Sequence, residues 1–486
     1  MTRYGNSIEI VHPDRLFING EWRAPLEPVA WSLIDPSTEE ELRGFVLGGE
    51  ADASAAIAAA RRAFDTGPWP HFDLRERAAM VVRLADTLES RRAELEEAWT
   101  LQIGALPMMR GRAITNGIGH FRRAAALGAG LSFEEKAQSV AGDAMIVQEP
   151  VGVVSAIAAW NGPLLQMASK VGPALVAGCT VVMKPSEQTP IEALIIAECA
   201  DAVGIPPGVL NLVTLGREAS DRLVSDPRVD KVSFTGSTAV GRHIARTCAD
   251  RIARYTLELG GKSAAIVLDD ADITVVGKTM ARTITALSGQ LCTMLSRVVV
   301  NADRHDRLAE AIAAEMAKVR IGSAHDPATE MGPVASRRQL ERIEGYIKKG
   351  RAEGARLAAG GARPAEFKQG FFLEPTLFAD VAPEATIAQE EIFGPVLSLI
   401  RARDDEDAVR IANQSAYGLH GSVFTPDKER ARAIARRVRT GTFAQNGMKL
   451  DFALPFGGMK QSGIGREGGK DALEPYLESK TVLLDP

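Results

Sequence analysis

Val151-Gly152-Val153-Val154-Ser155-Ala156-Ile157-Ala158-Ala159 is apolar almost throughout, and Thr180-Val181-Val182-Met183 repeats that texture after a helical stretch. Four more such runs follow: Val209 to Val213, Lys231 to Phe234, Leu257 to Leu259 and Ala264 to Leu268. Strands buried on both faces read as continuous apolar runs, and helices between them supply the crossovers of a parallel sheet. The fold class expected is α/β. Sheets of this kind bind nucleotides beyond the carboxyl ends of their strands. The helix after the second run carries its own start signal, with Thr189 as cap, Pro190 at the first helical position and Glu192 three residues after the cap.

Upstream, Leu16-Phe17-Ile18-Asn19-Gly20-Glu21-Trp22 alternates and turns at Asn-Gly, as a hairpin does. Two helices are expected next, from about Asp52 to Phe64 and from about Asp73 past Leu88. In the second, Leu74, Ala78, Val81, Leu84 and Leu88 share one face. Downstream, a second α/β segment is expected from about 270 to 440. Within it, Arg351 to Pro364 reads as surface helix and turn, and the closing stretch from Leu454 holds a Gly-rich loop and a strand from Ser479 to Leu484.

A chain of 486 residues exceeds what one hydrophobic core supports, so two or three domains are expected. The net charge of −5, with no long basic block, argues against nucleic acid or an anionic membrane as the main partner. Met1-Thr2-Arg3-Tyr4-Gly5-Asn6 lacks the apolar core of a signal peptide, and the apolar stretch from Val171 to Met183 is broken by Gly172, Pro173, Gly178 and Thr180. The cysteines Cys179, Cys199, Cys248 and Cys292 have no close pairs and read as free thiols in a reducing compartment, so a cytoplasmic location is expected. The seven histidines are scattered without metal-ligand spacing, and no metal is expected.

Lys184 ends an apolar run, with Glu187 three residues on. The pair could grip ribose hydroxyls or could be an exposed ion pair. A glutamate there would repel a 2′-phosphate and so favour NAD over NADP. Thr235-Gly236-Ser237-Thr238 closes one strand and opens a helix, which makes either a pyrophosphate seat or an ordinary cap. Asn161, before Gly162-Pro163, could donate to an oxyanion or merely turn the chain. Cys292, in Gly289-Gln290-Leu291-Cys292-Thr293, and Glu258, in Leu257-Glu258-Leu259-Gly260-Gly261-Lys262, offer a thiol nucleophile and a carboxylate base in small-residue settings. Apolar and glycine neighbours suggest that Glu258 is buried, which would raise its pKa toward a base's working range.

Trp160-Asn161, Lys184-Pro185-Ser186-Glu187, Phe234-Thr235-Gly236-Ser237-Thr238, Leu257 to Lys262, Gly289 to Cys292, Glu390-Glu391-Ile392-Phe393-Gly394-Pro395 and Pro455-Phe456-Gly457-Gly458 stand in this order along the chain. Together they resemble the aldehyde dehydrogenase superfamily over nearly the whole sequence. The resemblance implies a Rossmann-like NAD-binding domain (residues 1–127 and 151–258), an α/β catalytic domain (259–460) and a small β oligomerisation flap (128–150 and 468–486). It implies Cys292 as nucleophile, Asn161 with the Cys292 N–H as oxyanion hole and Glu258 as base for water, with Lys170 and Glu467 at positions that relay protons. For NAD it implies Trp160, Lys184, Ser186, Glu187, Gly216, Phe234, Gly236, Ser237, Leu259, Gly260, Glu391 and Phe393. For the aldehyde it implies Gly162, Gln166, Ser169, Leu291, Thr293 and Phe456. It further implies a homodimer or homotetramer.

Two departures stand out. Gly162 replaces an aromatic of many relatives, and Ser169 a tryptophan of some, so a roomier entrance for bulky or aromatic aldehydes is expected. Two other functions compete. An acylating relative would pass its thioester to coenzyme A, but such enzymes generally lack a glutamate where Glu258 stands. A structural or binding member of the fold would have lost its nucleophile or base, and both are present.

Overall fold

The apolar runs become strands buried along their whole length, Val153–Ile157 and Thr180–Lys184 among them. The computed structural model describes residues 2–4 and 8–485. Met1, Gly5 and Asn6 of the N-terminal stretch read above, and Pro486, lie outside the described residues.

In the first sheet, Arg254–Glu258, Lys231–Thr235, Val153–Ile157, Thr180–Lys184 and Leu210–Leu212 run parallel in that spatial order. Val153–Ile157 comes first in sequence yet sits in the middle. The chain winds outward from it to one side and then returns to the other. A crevice opens at such a reversal, here between the carboxyl ends of Val153–Ile157 and Lys231–Thr235. The Leu16–Ile18 and Glu21–Arg23 hairpin closes one edge, and Gly463–Ile464 pairs antiparallel with Arg254–Glu258 at the other. Its turn residues Asn19 and Gly20 have φ of 57° and 77°, the left-handed pair that a two-residue hairpin needs.

The second sheet is parallel through Thr376–Ala379, Val396–Ala402, Leu295–Asn301, Ser263–Val267, His420–Phe424 and Thr442–Gln445. The chain crosses between sheets in the four residues from Leu259 to Lys262, so Glu258 ends the last long strand of one sheet just before the first strand of the other. Cys292 lies just before Leu295–Asn301 in that second sheet. Apart from both, Leu477–Leu484 pairs along its length with Asp143–Pro150, which also pairs with Glu134–Ala137.

The expected early helices are Glu50–Thr66 and Leu74–Ser90, the second burying Ala78, Val81, Leu84 and Leu88. Two expectations fail. The helix after Thr180–Lys184 is Ile191–Ala202, with Pro190 in the cap position and no side-chain cap. The Ile191 N–H is instead taken by the Gln102 Oε1 at 3.1 Å, and Glu192 turns inward to accept from Gln102 Nε2 at 2.7 Å. A tertiary partner has displaced the local cap. The stretch 351–364 is also more than helix and turn: Arg356–Ala359 adds an antiparallel edge strand beside Thr376–Ala379. Its alternation is short and half-buried, so composition alone hides it.

Candidate active site

Cys292 is positioned by an unusual turn. Leu287, Ser288 and Gly289 have φ of 47°, 53° and 74°, three left-handed residues in succession. That conformation costs roughly 1–2 kcal/mol at each non-glycine position, so other contacts must hold it. Ser288 Oγ donates to the Gly332 carbonyl at 2.7 Å, and the buried Gln290 donates to the Leu287 carbonyl at 2.9 Å while accepting from Ala335 N–H at 2.9 Å. Only glycine fits at 289, where a Cβ would lie 2.1 Å from the Gly394 carbonyl oxygen. Cys292 is half-buried, whereas Cys179, Cys199 and Cys248 are buried. Burial pushes its thiol pKa up, and the carboxylates of Glu258 and Glu391 add to that.

Asn161 is buried just past the end of Val153–Ile157. Its side-chain amide donates to the Gln290 carbonyl at 3.0 Å, and its Oδ1 accepts from Gln166 Nε2 at 2.8 Å. Gln166 is held in turn by the Ala159 N–H at 2.8 Å, and Trp99 Nε1 donates to the Asn161 backbone carbonyl at 3.2 Å. These bonds fix which way the amide faces. One of its two N–H groups is left to point elsewhere.

Glu258 is 3% exposed, and neither carboxylate oxygen has a hydrogen-bond partner among the described residues. Desolvation raises its pKa well above the ordinary carboxylate value, and the Glu467 charge adds to the rise; Lys170 and Arg466 pull the other way. Behind it, Lys170 is fully buried in an ion pair with Glu467 and donates to Thr235 Oγ1 at 2.7 Å. Ser169 Oγ donates to the other Glu467 oxygen at 2.8 Å. Each Glu467 oxygen therefore has a partner, and Glu258 is the unpaired carboxylate of the two.

Most of the residues expected at a cofactor stand at or just past the carboxyl ends of the first sheet's strands, and Glu391 and Phe393 precede Val396–Ala402 of the second. Lys184 Nζ lies 3.5 Å from Glu187, and desolvation lowers the lysine's pKa. Lys184 is thus no exposed surface lysine, though Glu187 is partly open. Ser186 is buried and Gly216 faces open space. Ser237 caps the helix Thr238–Asp250, its Oγ accepting from the Val240 N–H at 3.4 Å. That helix points its N-terminus to the crevice, a favourable place for a diphosphate. Gly236 lies against the Phe234 ring, and Leu259 packs against Gly241. On the far side, Glu391 Oε1 accepts from Gly261 N–H at 3.0 Å, and desolvation pushes its pKa up to about 7. A Cβ on Gly260 would lie 2.2 Å from this carboxylate. Trp160 and Phe393 meet edge to face at 5.3 Å.

A cavity of about 370 Å³ opens onto Cys292, Asn161 and Glu258. All six residues expected at an aldehyde line it: Gly162, Gln166, Ser169, Leu291, Thr293 and Phe456.

The sequence matches the Aldehyde dehydrogenase family model over residues 22–482. The chain belongs to the aldehyde dehydrogenase family. It is 42% identical over 472 residues to a geranial dehydrogenase of Castellaniella defragrans, covering 96% of this chain and 98% of that one. It is 42% identical over 476 residues to a 3-succinoylsemialdehyde-pyridine dehydrogenase of a Pseudomonas species, again covering 96% and 98%. The structure superposes on a Mycobacterium tuberculosis aldehyde dehydrogenase complexed with NAD+, with a TM-score of 0.93 and 41% identity over 98% and 99% of the two chains.

Sequence reading missed several members of this aldehyde dehydrogenase's site. Trp99, Gln290 and Thr235 hold Asn161 and Lys170 in place; Gln290 and Thr235 stand in motifs quoted above, but nothing local marks this holding role, and nothing marks Trp99 at all. Arg112, Asn116 and His120 line the cavity as well, and their spacing of four residues in a helix is a signal that could have found them.

Proposed function

We propose that this chain oxidises an aldehyde to its carboxylic acid with NAD. The observation that supports this best is the meeting of the Cys292 thiol, the Asn161 amide and the unpaired, buried Glu258 carboxylate on one cavity. Cys292 Sγ attacks the carbonyl carbon as its proton is given up to solvent, giving a thiohemiacetal. The free N–H of the Asn161 amide and the Cys292 backbone N–H receive the charge that develops on oxygen. NAD, when bound, supplies the hydride acceptor, and the acyl group stays on Cys292 as a thioester. Glu258 then takes a proton from the water that attacks the thioester, releasing the acid and the thiol. Its raised pKa suits a base working near neutral pH. The pair Lys170 and Glu467 lies beside Glu258 and is read as its proton outlet.

The donor set fits the cofactor. Lys184 and Glu187 suit the adenosine ribose, with Ser186, Gly216 and Phe234 around that half, while Trp160, against Phe393, and Leu259, on the cavity with Cys292, suit the other half. Gly236, Ser237 and the helix start behind them suit the diphosphate. Glu391 suits the second ribose, with Gly260 giving it room and Phe393 lying by the ring. The Glu187 carboxylate favours NAD over NADP. The substrate is read as a bulky or aromatic aldehyde, because small Gly162 and Ser169 leave space beside a wall in which Leu291 and Phe456 are apolar and Thr293 adds a hydroxyl. The names of the relatives, for geranial and for a pyridine-bearing semialdehyde, agree with that reading.

The two sheets support a division into a cofactor unit (1–127 and 151–258) and a catalytic unit (259–460). The pairing of Asp143–Pro150 with Leu477–Leu484 supports assigning 128–150 and 468–486 to assembly of a homodimer or homotetramer. The free thiols suit the cytoplasm. The test is NADH formation across a panel of aldehydes with product analysis, with and without coenzyme A. Free acid in both is expected; an acyl-coenzyme A product or no NADH would overturn the reading.

A further inference from the structure

The helix Pro107–Gly130 sets Arg112, Asn116 and His120 four residues apart, so they form one stripe, and all three line the cavity in front of Cys292. At a helical rise of about 1.5 Å per residue the stripe runs roughly 12 Å. It leads inward: Arg112 is exposed, Asn116 half-buried and His120 only 5% exposed. The facing wall is apolar, with Phe452 edge-on to the His120 ring at 6.1 Å.

His120 Nε2 is buried without a hydrogen-bond partner among the described residues. Burial, with Arg123 and Lys170 nearby, lowers the imidazole's pKa to about 3, so the ring is neutral in the working range. A buried polar atom left unpaired asks for a partner that the chain itself does not supply. The ring also lies close to the space beside Ser169. The Ser169 hydroxyl binds Glu467, and a Cβ on the next residue, Gly468, would stand 3.6 Å from His120 Cε1. Asn116 lines the same cavity between Arg112 and His120, and its backbone carbonyl accepts from Arg123 at 3.2 Å.

We propose that Arg112, Asn116 and His120 form a polar subsite that selects, among bulky aldehydes, those carrying an uncharged hydrogen-bonding group distant from the aldehyde carbon. The subsite deepens the aldehyde-oxidising function proposed above and rests on it. A neutral imidazole offers an N–H in one tautomer and a lone pair in the other, so a hydroxyl, a carbonyl or a ring nitrogen can meet it. A hydrocarbon tail leaves His120 unpaired. A cationic tail is repelled by Arg112 at the mouth and must shed its water to reach His120, and an anionic tail would have to leave Arg112 and shed its water to go deeper.

The test compares 3-phenylpropanal with 3-(pyridin-3-yl)propanal, a pair that differs by one ring nitrogen, and adds an aldehyde bearing a trimethylammonium tail. NADH formation is measured for the full-length enzyme and for His120→Leu, His120→Gln and Asn116→Leu. The unaltered enzyme is expected to favour the pyridyl aldehyde by about 3- to 10-fold in kcat/KM, mainly through KM, as one neutral hydrogen bond would give. The cationic aldehyde is expected to be the poorest of the three. His120→Leu is expected to abolish the pyridyl preference, His120→Gln to keep part of it and Asn116→Leu to weaken it. An unaltered enzyme that treats the phenyl and pyridyl aldehydes alike, or a preference that survives His120→Leu, would overturn the subsite alone. Should His120→Leu not fold, the Gln and Asn116→Leu variants decide, and an unchanged preference in Asn116→Leu counts against it. Failure of all three aldehydes to reduce NAD would instead strike the underlying function.

Discussion

The Asn161 side-chain amide donates at 3.0 Å to the carbonyl of Gln290, two residues before Cys292. This bond ties the end of a strand in the first sheet to the loop that delivers the thiol into the second. It also spends one N–H of the amide on positioning and leaves the other to meet charge on a substrate oxygen.

Asn161→Asp tests that division. A carboxylate of the same shape cannot donate, and it faces the Gln290 carbonyl with like polarity. Turnover is expected to fall by about 10²- to 10³-fold in kcat, the loss of one oxyanion donor, with a lowered melting temperature. A kcat within a few-fold of the unaltered enzyme would show that the amide does not receive the developing charge.

Glu258→Gln separates the two halves of the reaction. A glutamine cannot take a proton from water, so rapid mixing is expected to show about one equivalent of NADH and then a steady rate lower by about 10²-fold or more. Because the Glu258 pKa is raised, its base form in the unaltered enzyme grows only as pH climbs above the ordinary carboxylate range. The acidic limb of the pH–rate profile should therefore lie well above pH 4.5 and vanish in a variant that lacks the carboxyl. Loss of the burst along with the steady rate would assign Glu258 to an earlier step.

Gly289→Ala tests the left-handed turn. Residue 289 has φ of 74°, and an added Cβ would stand 2.1 Å from the Gly394 carbonyl oxygen and 2.6 Å from Pro395 N. Backbone atoms cannot yield as a flexible side chain does. A loss of stability of about 2 kcal/mol or more is expected, with a disproportionate loss of activity as Cys292 shifts. Calorimetry with assays of the folded fraction checks this. Unchanged stability and activity would mean the turn carries no constraint.

Much of this site was legible in the sequence because each part sits at a strand end. Asn161, Lys184, Thr235 and Glu258 all follow or close apolar runs, and the chemistry of such ends is readable one residue at a time. What holds those residues was not legible. Trp99 and Gln290 bind Asn161 from two distant segments, and periodicity tells which face of a helix is buried, not what meets it. Thr189 shows the same limit: its segment has every local mark of a cap, and Gln102, brought from another helix, takes the Ile191 N–H instead. Arg356–Ala359 is a strand only because Thr376–Ala379 lies beside it.

Glu192→Gln is expected to change how stability depends on pH. Glu192 is fully buried, and desolvation pushes its pKa up to about 8 from 4.5. The folded state therefore holds a proton that the unfolded chain gives up, and the stability this confers is full below pH 4.5 and lost as pH rises toward 8. Glutamine keeps a partner for Gln102 and cannot ionise. The variant should thus gain on the unaltered enzyme across that window, by a few kcal/mol at its upper end. Chemical denaturation from pH 5 to 9 checks this, on the order of one curve per pH unit. A difference that does not vary with pH would mean that Glu192 is not protonated in the fold.

The most direct test of the central claim is NADH formation by Cys292→Ala beside the unaltered enzyme, with the aldehyde that the latter oxidises best and with both proteins shown to be folded. The expected result is loss of turnover by at least about a thousandfold, with no acyl group retained on the protein. Turnover that survives the substitution would contradict the covalent mechanism and the role given to every residue arranged around Cys292.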